Sequence, residues 1–294
     1  MTKTTTEEGV GIGWRPERPS PKDHIYADSR KMKLVGSLPR RTSNYVFCQT
    51  KRRNQRAEGS CTGHGSSAAA HILTRQDGDR YNTIYAPRFL YNMARVIEQE
   101  RDKNDALKYD NGAYVRDAMD ALRLYGVCPE SSWRYKTGDT VNEVERLREF
   151  AKVPTATRKK NATRFRVETA RTDDVDMLLN SLAAGHPVVF GFMCHTGMWK
   201  TEVDRSGVVP MPGTADSEDG GHCICAVDYD LDFEHPSFRG FKGAVLAEGS
   251  WSEVYGDQSP WWPIERVGGF HILPLEYFRR KYADDAWSAI REAT

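Results

Sequence analysis

Two residues in this sequence have surroundings that give them chemistry. Cys61 opens a stretch in which Ala68, Ala69, Ala70, Ile72 and Leu73 predict a helix buried on several sides, and the thiol falls at its N-terminus. There it feels the positive end of the helix dipole, which favours the thiolate, the nucleophilic form. His222 follows Gly220 and Gly221 at the mouth of the strand HCICAVDYD. On a strand of period two, His222, Ile224 and Ala226 share one face while Cys223 and Cys225 take the other. Each residue alone has an inert reading, as a buried cysteine or a hydrogen-bonded core histidine. Together they are a candidate nucleophile and base. Cys223 and Cys225 form a Cys-x-Cys pair with no second pair at matching spacing, a weak zinc signal, so no metal and no cofactor is expected.

The elements that must position this pair are legible in outline. A second helix follows Pro87, with Phe89, Leu90, Met93, Val96 and Ile97 recurring at helical spacing, and a third runs through Tyr114, Val115, Ala118, Met119 and Leu122 until Gly126 stops it. The second half offers short apolar runs instead, PVVFGFMC, HCICAVDYD and GAVLAEGSW. Helices followed by a sheet predict an α+β protein with segregated parts. Residues 136–164 are polar and charged, and a helix plus loop is expected around Val141 to Ala151. Residues 1–45 carry Pro16, Pro19, Pro21 and Pro39 with Gly9, Gly11, Gly13 and Gly36, the composition of an extended arm.

Charge and hydropathy exclude several function classes. With 42 Lys+Arg against 41 Asp+Glu, the chain has no field that would gather a polyanion. The local run of Lys51, Arg52, Arg53 and Arg56 is read as solvated surface, and no nucleic-acid partner is expected. No stretch approaches the roughly 18 apolar residues of a membrane span, and the first residues lack an apolar signal core, so an intracellular protein with no membrane partner is expected. Six scattered cysteines in 294 residues do not make a disulfide framework, and most are expected to be reduced.

The segments QRAEGSCTGHG, GGHCICAVDYD and EGSWS, in that order, resemble the papain-like cysteine peptidases, particularly their bacterial and phage branch. GIGWRPERPSPKDHIY, YGVCPESSWRY, GVVPMPG and LPLEYF with ADDAWSAIRE extend the resemblance along nearly the whole chain. It implies a two-lobed fold, a mainly helical lobe over about 46–160 and an antiparallel β-rich lobe over about 161–294, with the active site between them and the arm of residues 1–45 ahead of the peptidase domain. It also implies acyl transfer on a peptide or protein substrate in the cytoplasm, or in a phage-encoded or virion-associated setting. Cys61 would attack the carbonyl, His222 would protonate the leaving amine, and Gln55, six positions before Cys61, would stabilise the oxyanion with the Cys61 backbone N–H.

The sequence departs from the family at the residue that orients the imidazole. Where the family has Asn-Ser-Trp, this chain has Gly249-Ser250-Trp251; Trp251 would still shield the site, but Gly249 has no side chain to orient His222. Glu248 is the candidate replacement, although consecutive strand residues point to opposite faces. An asparagine restored at Gly249 is expected to raise turnover. Thr62 stands where the best-known members have an aromatic residue, and the interval from Cys61 to His222 exceeds the roughly 130–150 residues of papain-like enzymes. The charged middle segment and SPWWPIERVG, with Trp261 and Trp262, are read as insertions. Two other readings stay open: a papain-fold protein whose weakened site serves binding or assembly, its partner unknown, and an acyl transferase using the same Cys-His chemistry. The arm, with Trp14, Ile25 and Tyr26 as apolar anchors, is expected to limit access to Cys61.

Overall fold

The computed structural model describes residues 11–23, 25, 36–78, 83–135, 152, 154–155, 167–172, 174–261 and 268–291. The helix expected around Val141 to Ala151, and Tyr26 and Trp262, lie outside them. Three helices come first: α1 (Cys61–Gln76), α2 (Pro87–Asp102) and α3 (Val115–Tyr125). Proline at the first turn of α2 lacks only an N–H that would have no helical partner, and Gly126 ends α3 at φ 72°, a conformation that costs a glycine little. The buried faces of α2 and α3 carry Phe89, Leu90, Met93, Val115, Met119 and Leu122. Helix α1 is enclosed along most of its length because its residues are small. A Cβ at Gly63 would lie 2.8 Å from that of Tyr91, so only glycine lets α1 and α2 approach this closely.

The second half supplies β1 (Val167–Arg171), β2 (Val188–His195), β3 (Glu218–Asp230), β4 (Ala244–Glu248), β5 (Phe270–Pro274) and β6 (Ala283–Arg291). They form one sheet in the order β1-β6-β2-β3-β4-β5, with every pairing antiparallel. Short helices α4 (Val175–Ala183), α5 (Thr201–Ser206) and α6 (Glu276–Arg279) sit between strands. The architecture is α+β, helices and sheet being segregated along the chain. The three runs read as strands are β2, β3 and β4; β1, β5 and β6 lack a comparable apolar run or a clear alternation.

Register fixes which side chains meet. Phe192 of β2 pairs with His222 of β3, Ala226 of β3 with Ala247 of β4, and Ala247 with His271 of β5, so Phe192, His222 and His271 rise from one face. That face builds a core with Phe190, Ile224, Tyr255 and Trp251. Cys223 and Cys225 point to the other face, into the core shared with α1. All six cysteines are buried, and none of them is in a disulfide.

One expectation fails in the basic run. Arg52 is buried, stacks over the Phe270 ring at 4.2 Å and lies 3.8 Å from Glu248. Arg53 donates to Glu130 and to the Tyr85 carbonyl, both at 2.7 Å. These guanidiniums are structural cross-links between segments distant in sequence; a run of like charge says nothing of partners that folding brings from elsewhere. Trp261 packs as a core residue, stacked on Phe233 at 5.3 Å.

Candidate active site

Cys61 is the first residue of α1, with 0% of its surface exposed. Burial pushes its thiol up to about 12, while hydrogen bonds from the backbone of Cys223, Gly13 and Thr62 pull the other way. The helix start favours a thiolate, but loss of water around the sulfur outweighs it in this enclosed state.

His222, one residue before the Cys223 backbone that reaches Cys61, is equally enclosed. Its ring stacks on Trp251 with centroids 4.2 Å apart and meets the Phe192 edge at 5.8 Å. Neither ring nitrogen has a hydrogen-bond partner. Burial, then the neighbouring His271 and His64, hold the imidazole well below its ordinary range. Trp251 therefore covers the ring as the sequence expects. Glu248 is not brought to it: Glu248 pairs in register with Cys225, on the opposite face, and turns toward Arg52. At Gly249 a Cβ would fall 2.5 Å from Nδ1 of His271. The space a side chain would take there is already filled by that ring.

Gln55 is buried between the arm and the β4 end of the sheet. Its Nε2 donates to the Gly11 carbonyl at 2.9 Å and the Glu58 carbonyl at 2.7 Å, and its Oε1 accepts from the Ser250 hydroxyl. The arm runs on from there across the site. The N–H groups of Gly13 and Trp14 both donate to the Gly221 carbonyl at 3.0 Å, and the Gly13 carbonyl accepts from Ala113 at 3.0 Å. The Trp14 indole lies on Gly221, where a Cβ would fall 2.5 Å from Cε3, and its Nε1 donates to buried Asp285 at 3.4 Å. Arg15 with Glu98, and Arg116 with Glu17 and Asp23, tie the following residues to α2 and α3. A main chain thus occupies the groove beside Cys61, with one of its carbonyls on the Gln55 amide.

Two histidines belong to this region without having been singled out from the sequence. His64, on the first turn of α1, bonds the Ser60 carbonyl at 3.0 Å and is pushed down to about 3 by burial. His271 sits 5.6 Å from His222, stacked on Tyr255 at 4.4 Å and edge-on to Trp251 at 4.8 Å. A lone histidine in FHILP gives no signal; only the empty side-chain position at Gly249 pointed to a missing neighbour. Among the described residues no group of three or more His, Cys, Asp or Glu is placed to hold a metal ion.

No family model matches the chain. An uncharacterized peptidase C1-like protein of Acanthamoeba polyphaga mimivirus is 26% identical over 238 residues, 80% of this chain and 68% of the relative. The crystal structure of xylellain, a cysteine protease from Xylella fastidiosa, superposes with a TM-score of 0.72 at 25% identity, covering 100% of this chain and 99% of its own. A procathepsin B from Trypanosoma congolense matches in fold, with a TM-score of 0.64 at 12% identity over 99% of this chain and 88% of its own.

Proposed function

We propose that this chain, a papain-like protein whose relatives are cysteine proteases of the papain family, hydrolyses peptide bonds with Cys61 as nucleophile, His222 as general base and acid, and Gln55 as oxyanion donor. The observation that carries this reading is the arm itself. An extended main chain lies in the groove with its Gly11 carbonyl on Gln55 Nε2 and its Gly13 backbone on the Cys61 thiol. A groove that satisfies peptide N–H and C=O groups beside a helix-start thiol is built to receive a peptide.

With substrate in place of the arm, the proton of Cys61 passes to His222, and the thiolate attacks the carbonyl carbon. The electron pair moved onto oxygen is met by Gln55 Nε2 and the Cys61 N–H. As the tetrahedral species collapses, the C–N bond breaks, His222 gives its proton to the amine, and a thioester remains. Water, losing a proton to His222, then hydrolyses it. The arm and substrate compete for one groove, so the described state is a resting form with a neutral thiol and a neutral imidazole.

A peptide epoxide reagent tests the reading. It should alkylate Cys61, identified by mass spectrometry, in a protein whose arm has been lifted, and the reaction should require His222. Failure of Cys61 to react once the arm is displaced would favour the second reading, a binding or structural protein, for which the absent side chain at Gly249 is the supporting observation.

A further inference from the structure

In the resting site the base has no partner: neither nitrogen of His222 makes a hydrogen bond, and among the described residues its ring meets the Trp251 indole and another imidazole, His271. Both nitrogens of His271 are also buried without a partner. With the centroids 5.6 Å apart, two ring nitrogens turned toward one another come within about 3.3 Å, the long edge of hydrogen-bond distance, so a small approach of the rings completes the bond. In the resting state the ring planes meet at 41° and no bond is made between them.

Three observations place His271 where an orienting side chain belongs. Register puts it on the face that carries His222, through Ala247 and Ala226. Its ring fills the space a side chain at position 249 would enter, so an amide there and an imidazole at 271 exclude each other. Tyr255, Trp251 and Phe192 pack around the ring, and Trp251 covers both histidines together.

We propose that His271 is the positioning residue for His222: a neutral imidazole that accepts a hydrogen bond from the imidazolium formed when Cys61 is ionised, in place of a side chain at Gly249. His271 can have this role only if His222 is the base described above. No proton passes to His271, which only accepts the hydrogen bond. His222 holds two N–H groups as imidazolium, one directed to the sulfur or the leaving nitrogen and one to the His271 lone pair. Burial holds His271 down to about 3, so it stays neutral and able to accept through the range in which a peptidase works. The ionisable groups that bear on the His222 ring are His271 and His64, in a wall of Phe192 and Trp251 backed by Tyr255.

The test compares His271→Phe, which keeps an aromatic ring in the stack but cannot accept, with His271→Gln, whose amide can. Both are made in full-length protein carrying Gly13→Val to lift the arm. Phenylalanine should lower kcat about tenfold to hundredfold with KM within about twofold. It should also move the alkaline limb of kcat/KM to lower pH, because an imidazolium without its acceptor gives up its proton sooner. Glutamine should recover most of the loss. Unchanged kcat and limb in His271→Phe, or a glutamine no better than phenylalanine, would overturn the assignment.

Proton NMR tests the contact without turnover. A downfield imidazole N–H, slow to exchange and lost in both His222→Ala and His271→Phe, is expected in the arm-lifted Gly13→Val protein at a pH where Cys61 is ionised and His222 protonated. Its absence refutes the His271 contact, whereas its presence in a protein that neither turns over nor alkylates Cys61 refutes the peptidase reading alone.

Discussion

The two banks of the groove are finished to different degrees. On the Cys61 bank the groups that meet main chain are taken up, Gln55 by Gly11, Glu58 and Ser250 and the Gly59 N–H by Asp110 at 3.1 Å, while Thr62 Oγ1 and His64 Nε2 have no partner. The histidine bank is aromatic and dry, and the polar atoms of His222, His271, Trp251 and Tyr255 have no partner. An unpaired buried donor or acceptor typically costs about 1–3 kcal/mol, so the second bank carries more of that cost than the first. The first is a receptor for main chain, filled by the protein's own arm. The second holds acid–base groups in reserve. Burial pushes the thiol up and the imidazole down, and each change favours the neutral form. A thiol held near 12 is ionised to only about one part in 10⁵ at pH 7, so the pair becomes reactive only when the groove is reopened.

The largest effect expected is on the sulfur. Cys61→Ala should lower kcat by a factor on the order of 10⁴ or more while leaving thermal unfolding nearly unchanged, because a small side chain at a helix start has little packing to lose. His222→Ala should be nearly as costly and should also abolish thiolate reactivity near neutral pH; a low thiol pKa surviving in that variant would assign activation to the helix alone. Gln55→Glu keeps the shape but removes the donor, and kcat should fall by about 10²–10³. Equal losses in Gln55→Glu and in a variant of the histidine bank would erase the distinction between banks.

A smaller effect is expected from lifting the arm. A Cβ on Gly13 would fall 2.6 Å from the Cα and carbonyl carbon of Gly59, so Gly13→Val cannot keep the present path. Alkylation of Cys61 by a bulky peptide reagent should then accelerate by about tenfold or more, and by less for a small reagent that needs only part of the groove. The sign with pH follows from the raised thiol. In the parent the rate should climb about tenfold per pH unit through neutrality, since thiolate is a trace below a pKa of about 12, and in Gly13→Val the curve should move to lower pH as water returns to the sulfur. Identical pH curves for the two proteins would mean that the arm does not set the state of Cys61.

What could be read in the sequence was whatever local composition carries. The small residues after Cys61 predicted a closely buried helix, Pro87 and Gly126 marked a start and a stop, and the three continuous apolar runs became β2, β3 and β4. The adjacent strands β1 and β6 were missed because VETAR and ADDAWSAIR mix charge with small residues. The Arg52 and Arg53 contacts were misjudged because their partners, Glu248 and Glu130, lie far along the chain. Cys61, Gln55, His222 and Trp251 were legible as residues in motifs. The meeting of His222 with His271 was not, because it depends on β3, β4 and β5 being in register, which no local pattern states.

The smallest effect expected concerns Gly249, and it separates the sequence from the structure most cleanly. From sequence, Gly249→Asn should restore an orienting amide and raise kcat. In the structure the Cβ alone would fall 2.5 Å from His271 Nδ1, and His271 is held between Tyr255 and Trp251 with little room to yield. Adding atoms to a packed interior typically costs about 1–3 kcal/mol. The single variant should therefore lose stability by about that amount and gain no turnover. Removing the obstacle changes the expectation: in Gly249→Asn with His271→Ala, the amide enters the space the ring leaves and can accept from His222. The double variant should then exceed His271→Ala in kcat by several-fold, a coupling between two adjacent sites that a double-mutant cycle measures directly. Independent effects at the two positions would mean that they do not share one space beside His222. A rise in kcat for Gly249→Asn alone, at unchanged stability, would show that the histidine bank is looser than its packing implies and that position 249 rather than His271 is where the imidazole is best held.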